Sequence, residues 1–443
     1  MLALFTALVL VTSLTLAAFA GEYNLDEGSV TITASESGQT VKHGDKAGVS
    51  DASPIITQKD NSKTTDNTIT IKTEDSATAN VTIKDVNIKA DKPGIAVGDS
   101  SLNLTVKGDN KIENSIADSD YGTGAGIHVE DGNLTITGDG KLDVKTNGVE
   151  NGAAAIGGNN NQAMSGTITI EDNAKVTATG KKGAGIGSGN IGEMSGSITI
   201  KDNAEVNATT TDEDSGAAIG SGTAGEMSGS ITIKDNAEVN ATTTDEDSGA
   251  AIGSGKGSVM SGSITIEDNA NVTATSKDGA AIGSGYYGQM SGNIAISNKA
   301  TVNASSTNGA NIGAGSGGSD KGGTISYFDP PEDSDQADKT TALYRVVDDK
   351  GISTGYKSEL KDGVLTITVA RPDANLTGTL SGLKTLTRWG VETIVFETES
   401  ATSTFTLADL IAKGEEKAPF RLTHKGEEVT LTLNGEPIEG ILK

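Results

Sequence analysis

The sequence predicts an all-β protein: a right-handed parallel β-helix solenoid followed by a small β-rich domain at the C-terminus. Three observations carry this expectation. The dipeptide Ile-Gly recurs with isoleucines at Ile156, Ile186, Ile219, Ile252, Ile282 and Ile312, spaced by 30, 33, 33, 30 and 30 residues, and such a period marks stacked units that bury their apolar faces against one another. Each unit reads as three short alternating segments separated by turns, with no helical period. The 443 residues exceed what one globular core usually supports, which an elongated array resolves.

The elements follow in chain order. Residues 1–20, MLALFTALVLVTSLTLAAFA, form an apolar run ending in Ala18-Phe19-Ala20, the small-x-small pattern of a signal peptide, so cleavage before Gly21 and no membrane insertion thereafter are expected. No Lys or Arg precedes Lys42; an uncleaved anchor or another start codon is the competing reading. Residues 21–328 are the expected solenoid. Degenerate coils come first, with Gly94-Ile95-Ala96 and Gly126-Ile127-His128 in phase. The segments Gly192 to Gly222 and Gly225 to Gly255 are identical over their whole length, which disfavours a unique active site inside them. Roughly ten coils would rise about 48 Å at β spacing.

In one repeat the strands are Ala217-Ala218-Ile219, Ser230-Ile231-Thr232-Ile233 and Glu238-Val239-Asn240-Ala241-Thr242. Alternation turns Ile231, Ile233, Ala237, Val239 and Ala241 inward and Ser230, Thr232, Glu238, Asn240 and Thr242 outward. Gly-rich GAAIGSG suits a tight corner. Asp235-Asn236 suits a short turn with Asn at positive φ, and Asn173, Asn203, Asn236 and Asn269 are expected to stack as an internal amide ladder. Residues 329–340, with Pro330-Pro331 and clustered acids, read as a linker. Residues 341–443 form the C-terminal domain, with strands Gly363 to Val369 and Glu428 to Leu433, one helix from Thr406 to Lys413, all four arginines and Trp389.

Composition narrows the function. There is no Cys, so no disulfide supports an exported fold and stability must come from burial and hydrogen bonding. A net charge of -26 disfavours nucleic acid and anionic membranes and makes cations the natural counterparts. Asn207, Asn240, Asn271 and Asn303 all sit in N-x-Ser/Thr sequons on one outward face; glycans at coil spacing would collide, which points to a bacterial rather than a eukaryotic export route.

Two positions stand out as sites. The loops Asp212-Glu213-Asp214 and Asp245-Glu246-Asp247 share a repeat position and should lie one coil apart, where even in water each facing pair costs about 0.9 kcal/mol. Bound Ca²⁺ would relieve that repulsion; splayed, solvated loops would as well. Tyr286 and Tyr287 replace small residues in one corner loop only and form an aromatic platform for a sugar ring, or else a cap or protein contact. A second carboxylate row, Asp172, Asp202, Asp235 and Asp268, reads as turn capping. Met164, Met194, Met227, Met260 and Met290 read as a core stack. His43, His128 and His424 lie in separate regions and build neither a zinc site nor a triad.

Coils of the form GAGIGSG, MSGSITI and DNAEVNAT resemble the β-helical surface proteins of anaerobic Gram-positive bacteria, a group similar to the carbohydrate-binding β-helix family related to pectate lyases. The resemblance covers roughly residues 65–326. It implies a pectate-lyase-like fold, export, calcium sites and binding to plant-wall or other acidic polysaccharides. The expectation is a secreted or cell-surface protein that binds polysaccharide without catalysis, as an adhesin or binding module assisted by Ca²⁺. The alternatives are a calcium-dependent polysaccharide lyase, for which the arginine-free solenoid singles out no base, and a spacer that presents the C-terminal domain.

Overall fold

The computed structural model describes residues 20–74, 77–115, 124–147, 152–328, 344–347, 356–361, 363–369, 371–388, 391–415, 418–426 and 428–442. The expected signal segment except Ala20, the expected linker and Trp389 lie outside the described residues.

Period-2 alternation folds the described residues between 22 and 328 into a parallel β solenoid whose coils stack in three long sheets of eleven, eight and twelve strands. The representative coil has strands Ile219–Gly220, Ser230–Ile233 and Glu238–Thr243. Each pairs in parallel with its equivalent one coil on, as in Ile219↔Ile252, Ile231↔Ile264 and Val239↔Val272. Ile231, Ile233, Ala237 and Val239 are fully buried and Ala241 nearly so, whereas Ser230, Thr232, Glu238, Asn240 and Thr242 reach solvent. The methionines stack inside as expected, through bridges Met164↔Met194, Met194↔Met227 and Met227↔Met260 and the pair Met260↔Met290.

The Ile-Gly strand is only two residues long because its glycine takes a backbone that other residues avoid. Gly220 has φ 135°, and a Cβ there would come within 1.8 Å of the Gly253 carbonyl oxygen.

The short turn differs from expectation in two respects. Asp, not Asn, takes the left-handed conformation, with φ of 59°, 58°, 58° and 56° at Asp172, Asp202, Asp235 and Asp268. Both residue types tolerate it, and Asp gains a further bond: Asp202 Oδ2 accepts from Asp172 N at 3.2 Å, Asp235 Oδ2 from Asp202 N at 3.3 Å, and Asp268 Oδ2 from Asp235 N at 3.4 Å. The asparagine ladder exists, with Nδ2 to Oδ1 distances of 3.4, 3.2 and 3.2 Å from Asn203 to Asn173, Asn236 to Asn203 and Asn269 to Asn236, but it is external. Ala174, Ala204, Ala237 and Ala270, one residue on, occupy the interior instead.

The first coil departs from parallel order. Val30–Ser35 pairs antiparallel with Gly38–His43, which pairs antiparallel with Val49–Ser50. The C-terminal region holds a five-stranded and a four-stranded sheet around Phe396, Phe405 and Phe420, with buried His424 bonded to Ser403 at 2.7 Å and Thr398 at 3.1 Å. The expected helix is Leu407–Ile411, with Thr406 as its N-cap, accepting from Asp409 N at 3.2 Å. A second helix, Leu380–Arg388, is not among the expected elements, although Leu380, Leu383 and Leu386 recur at helical spacing and are buried. No described helix is long and apolar enough to cross a membrane.

Candidate functional site

Each corner loop after an Ile-Gly strand places one residue in the left-handed region: Asn161, Ile191, Ala224, Gly257, Tyr287 and Gly317, with φ between 53° and 69°. Backbone bonds lock these corners into register. Ile191 N donates to Thr223 O at 2.7 Å, Ala224 N to Lys256 O at 3.0 Å, Gly257 N to Tyr286 O at 2.7 Å and Tyr287 N to Ser316 O at 2.9 Å. The preceding residue of every corner, namely Asn160, Asn190, Thr223, Lys256, Tyr286 and Ser316, forms a parallel row beside it.

The acidic loops meet this second row. Lys256 Nζ donates to Asp247 Oδ2 at 2.7 Å and to Asp214 Oδ1, so one lysine ties the two expected acidic loops together across adjacent coils. Burial acts to lower the Lys256 pKa, but its bonds to Asp214 and Asp247 prevail and raise it. Lys277 Nζ lies 3.2 Å from Glu246 Oε1. Asp278, almost buried, accepts from Asp247 N at 2.9 Å and from Asn308 Nδ2 at 2.7 Å. Glu213 is exposed and Asp212 and Asp245 are half-buried. Among the described residues no group of three or more His, Asp or Glu side chains converges as a metal-ligand set.

Tyr286 and Tyr287 are brought together as a platform. Their ring centroids are 4.3 Å apart at 59°. Lys256 Nζ lies 5.6 Å from the Tyr286 ring centroid, within cation–π range. The hydrogen bond with Tyr287, then burial and the neighbouring charges, push the Tyr286 hydroxyl up to about 12. The Tyr287 ring lies against Gly317, where an added Cβ would be 2.6 Å from its Cε1, yet 61% of the residue stays exposed. Backbone thus backs the ring while much of its surface meets solvent.

Residues 168–190 and 264–286 match a family model described as a beta helix repeat. In these two coils the chain is similar to that family. Both matched segments start on the same inward isoleucine position and stop at the same corner position, Asn190 and Tyr286. The likeness therefore covers the scaffold and ends one residue before Ile191 and Tyr287. No curated protein and no solved structure matches the chain.

Reading the sequence alone places none of three further participants in the site, though it offers Lys256, with Lys181, as a base for the lyase alternative. Lys256 sits at the repeat position of Tyr286 and Thr223, so alignment of the coils could have placed it beside the tyrosines, but not its reach to both acidic loops. Asp278 reads as one member of a Lys-Asp pair in a loop. Ile191, 62% exposed, reads as an ordinary apolar residue unless the turn conformation is known.

Proposed function

We propose that this chain is a secreted or cell-surface protein, of bacterial type, that binds polysaccharide without catalysis on the corner-loop edge of its solenoid. The observation that carries the reading is the tyrosine pair: two contacting rings, one of them largely exposed, at adjacent corner positions where no other described coil carries an aromatic residue. An aromatic face of this kind suits the apolar face of a pyranose ring, while adjacent carboxylates and hydroxyls accept and donate hydrogen bonds to its rim. Lys256 supplies the positive charge between the two acidic loops that the sequence reading assigned to Ca²⁺, which supports binding that does not need the metal. The uninterrupted coil stack and the separate C-terminal core suit an elongated display protein.

The test is a glycan array probed with the chain from Gly21 onward, with and without Ca²⁺, beside its Tyr287→Gly variant. Glycine is tolerated at the left-handed φ of 53°, so the variant keeps the loop. Retention of one glycan class by the parent chain and its loss in the variant is the expected result. No retention by either, or equal retention by both, would remove the reading.

A further inference from the structure

The corner row holds a second residue of the kind that Tyr287 represents. Ile191 is 62% exposed and sits at φ 61°. For a β-branched residue that backbone is a genuine outlier, and such strain persists where a function or the surrounding structure holds it. Between Ile191 and Tyr287 the same row carries only Ala224 and Gly257. A Cβ added at Gly257 would meet nothing within 4 Å, so the floor there is open. The row is therefore a shallow saddle with an apolar side chain at each end, three coil steps or about 14 Å long at β spacing.

Its flanks are polar on both sides. One carries Thr223, and Lys256 held by Asp214 and Asp247. The other carries Glu193 and Glu226, which accept from Ser228 Oγ at 2.5 Å and Ser261 Oγ at 2.6 Å. Two isolated apolar side chains fall far short of the roughly 1,000 Å² that a stable protein interface buries. A narrow ribbon with apolar faces and hydroxyl edges fits better. The coil step is close to the length of one pyranose residue in an extended chain, and the edge is straight, so it suits equatorially linked chains, which extend, over axially linked ones, which curl. Carboxylates on both flanks repel uronates.

We infer that Ile191 and Tyr287 are the two ends of one binding saddle, which takes an extended, neutral, equatorially linked polysaccharide chain lying along the solenoid axis. The inference rests on the carbohydrate-binding reading and narrows it, replacing the acidic glycan that the family resemblance implies with a neutral one. Ile191 is a specificity residue for chain length, because only a chain long enough to span Ala224 and Gly257 reaches it.

Calorimetric titration of the chain from Gly21 onward with β-1,4-linked glucose oligomers of two to six residues, and with galacturonate oligomers of the same lengths, tests this. Affinity for the glucose series rises about tenfold from dimer to tetramer and then levels off, as expected for one added apolar contact. Ile191→Gly removes that gain, so that tetramer binds no more tightly than dimer. Its melting temperature is no lower than the parent's, since glycine relieves the strained backbone, so lost affinity cannot come from unfolding. Dimer and hexamer bound equally, or an Ile191→Gly variant that binds tetramer like the parent, would overturn the saddle while leaving carbohydrate binding at Tyr287 intact. Tighter binding of galacturonate oligomers overturns the neutral-chain assignment. Binding of neither series overturns the saddle; whether carbohydrate binding itself survives is then read from the glycan array.

Discussion

Lys256 Nζ lies 2.7 Å from Asp247 Oδ2 and also bonds Asp214, the equivalent residue one coil earlier. A single ammonium thereby bridges one carboxylate from each of two stacked acidic loops. Lys256→Met keeps most of the stem and removes the charge. With the Asp214 and Asp247 side chains 54% and 43% exposed, solvent screening limits the loss to about 1 kcal/mol or less. The variant, unlike the parent, then gains melting temperature when millimolar Ca²⁺ is added, because the unneutralised loops become an oxygen-rich cation site. Thermal melts of both proteins with and without Ca²⁺ decide it: an equal Ca²⁺ shift in both would show that lysine and metal do not share a place.

The Ile-Gly ladder predicts unequal costs for one substitution at two glycines. Gly220→Ala drives a Cβ to 1.8 Å from the Gly253 carbonyl oxygen at φ 135°, and is expected to cost about 3 kcal/mol or to prevent folding. Gly257→Ala, at φ 68° with open space above, carries only the left-handed penalty of about 1–2 kcal/mol. Urea denaturation of the two variants measures the difference, and similar midpoints would contradict the close packing of the ladder.

The strands were legible because side-chain direction in a strand has a period of 2, so Ile231, Ile233, Val239 and Ala241 declare their face without knowledge of neighbours. The coil spacing then settles register, since each such isoleucine pairs with its equivalents one coil before and after, as Ile252 does with Ile219 and Ile282. The turns were less legible. Asp and Asn both accept positive φ, and the choice of Asp235 over Asn236 depends on a carboxylate bond to the backbone of the preceding coil, an interaction between residues 33 apart. The site was half legible for the same reason. Tyr286, Tyr287 and the acidic loops stand out against the repeat, whereas the position of Lys256 between Asp214 and Asp247 is a tertiary fact. The strain at Ile191 is a property of the backbone and leaves no mark on residue type.

The Asp turn yields a three-way comparison. Asp235 combines a left-handed backbone with a carboxylate that accepts from Asp202 N at 3.3 Å. Asp235→Asn keeps both a tolerated φ and an acceptor oxygen, and should change stability by less than about 0.5 kcal/mol. Asp235→Gly keeps the φ and loses the acceptor. Asp235→Ala loses both, at about 1–2 kcal/mol. Chemical denaturation should therefore rank Asn above Gly above Ala; an alanine variant as stable as the asparagine one would mean that neither the conformation nor the bond matters.

Glu267 predicts a pH dependence of stability. Burial first, and then the charge of Asp268, hold its carboxyl above the usual carboxylate range, with Lys234 opposing and Asp235 adding to the rise. In the equivalent place Glu171 meets Lys201 Nζ at 2.9 Å. A folded-state pKa above the unfolded value means that the folded chain holds the proton more tightly. Glu267 therefore costs nothing below the unfolded carboxylate value of about 4.3, and destabilises progressively as pH rises from there through its folded value. Glu267→Gln removes the ionisation while retaining the shape. The variant is expected to match the parent at pH 4 and to be more stable at pH 7. Melting curves across that range test the sign directly, because a variant less stable than the parent at pH 7 would mean that the Glu267 carboxylate is held by a favourable partner rather than raised by burial.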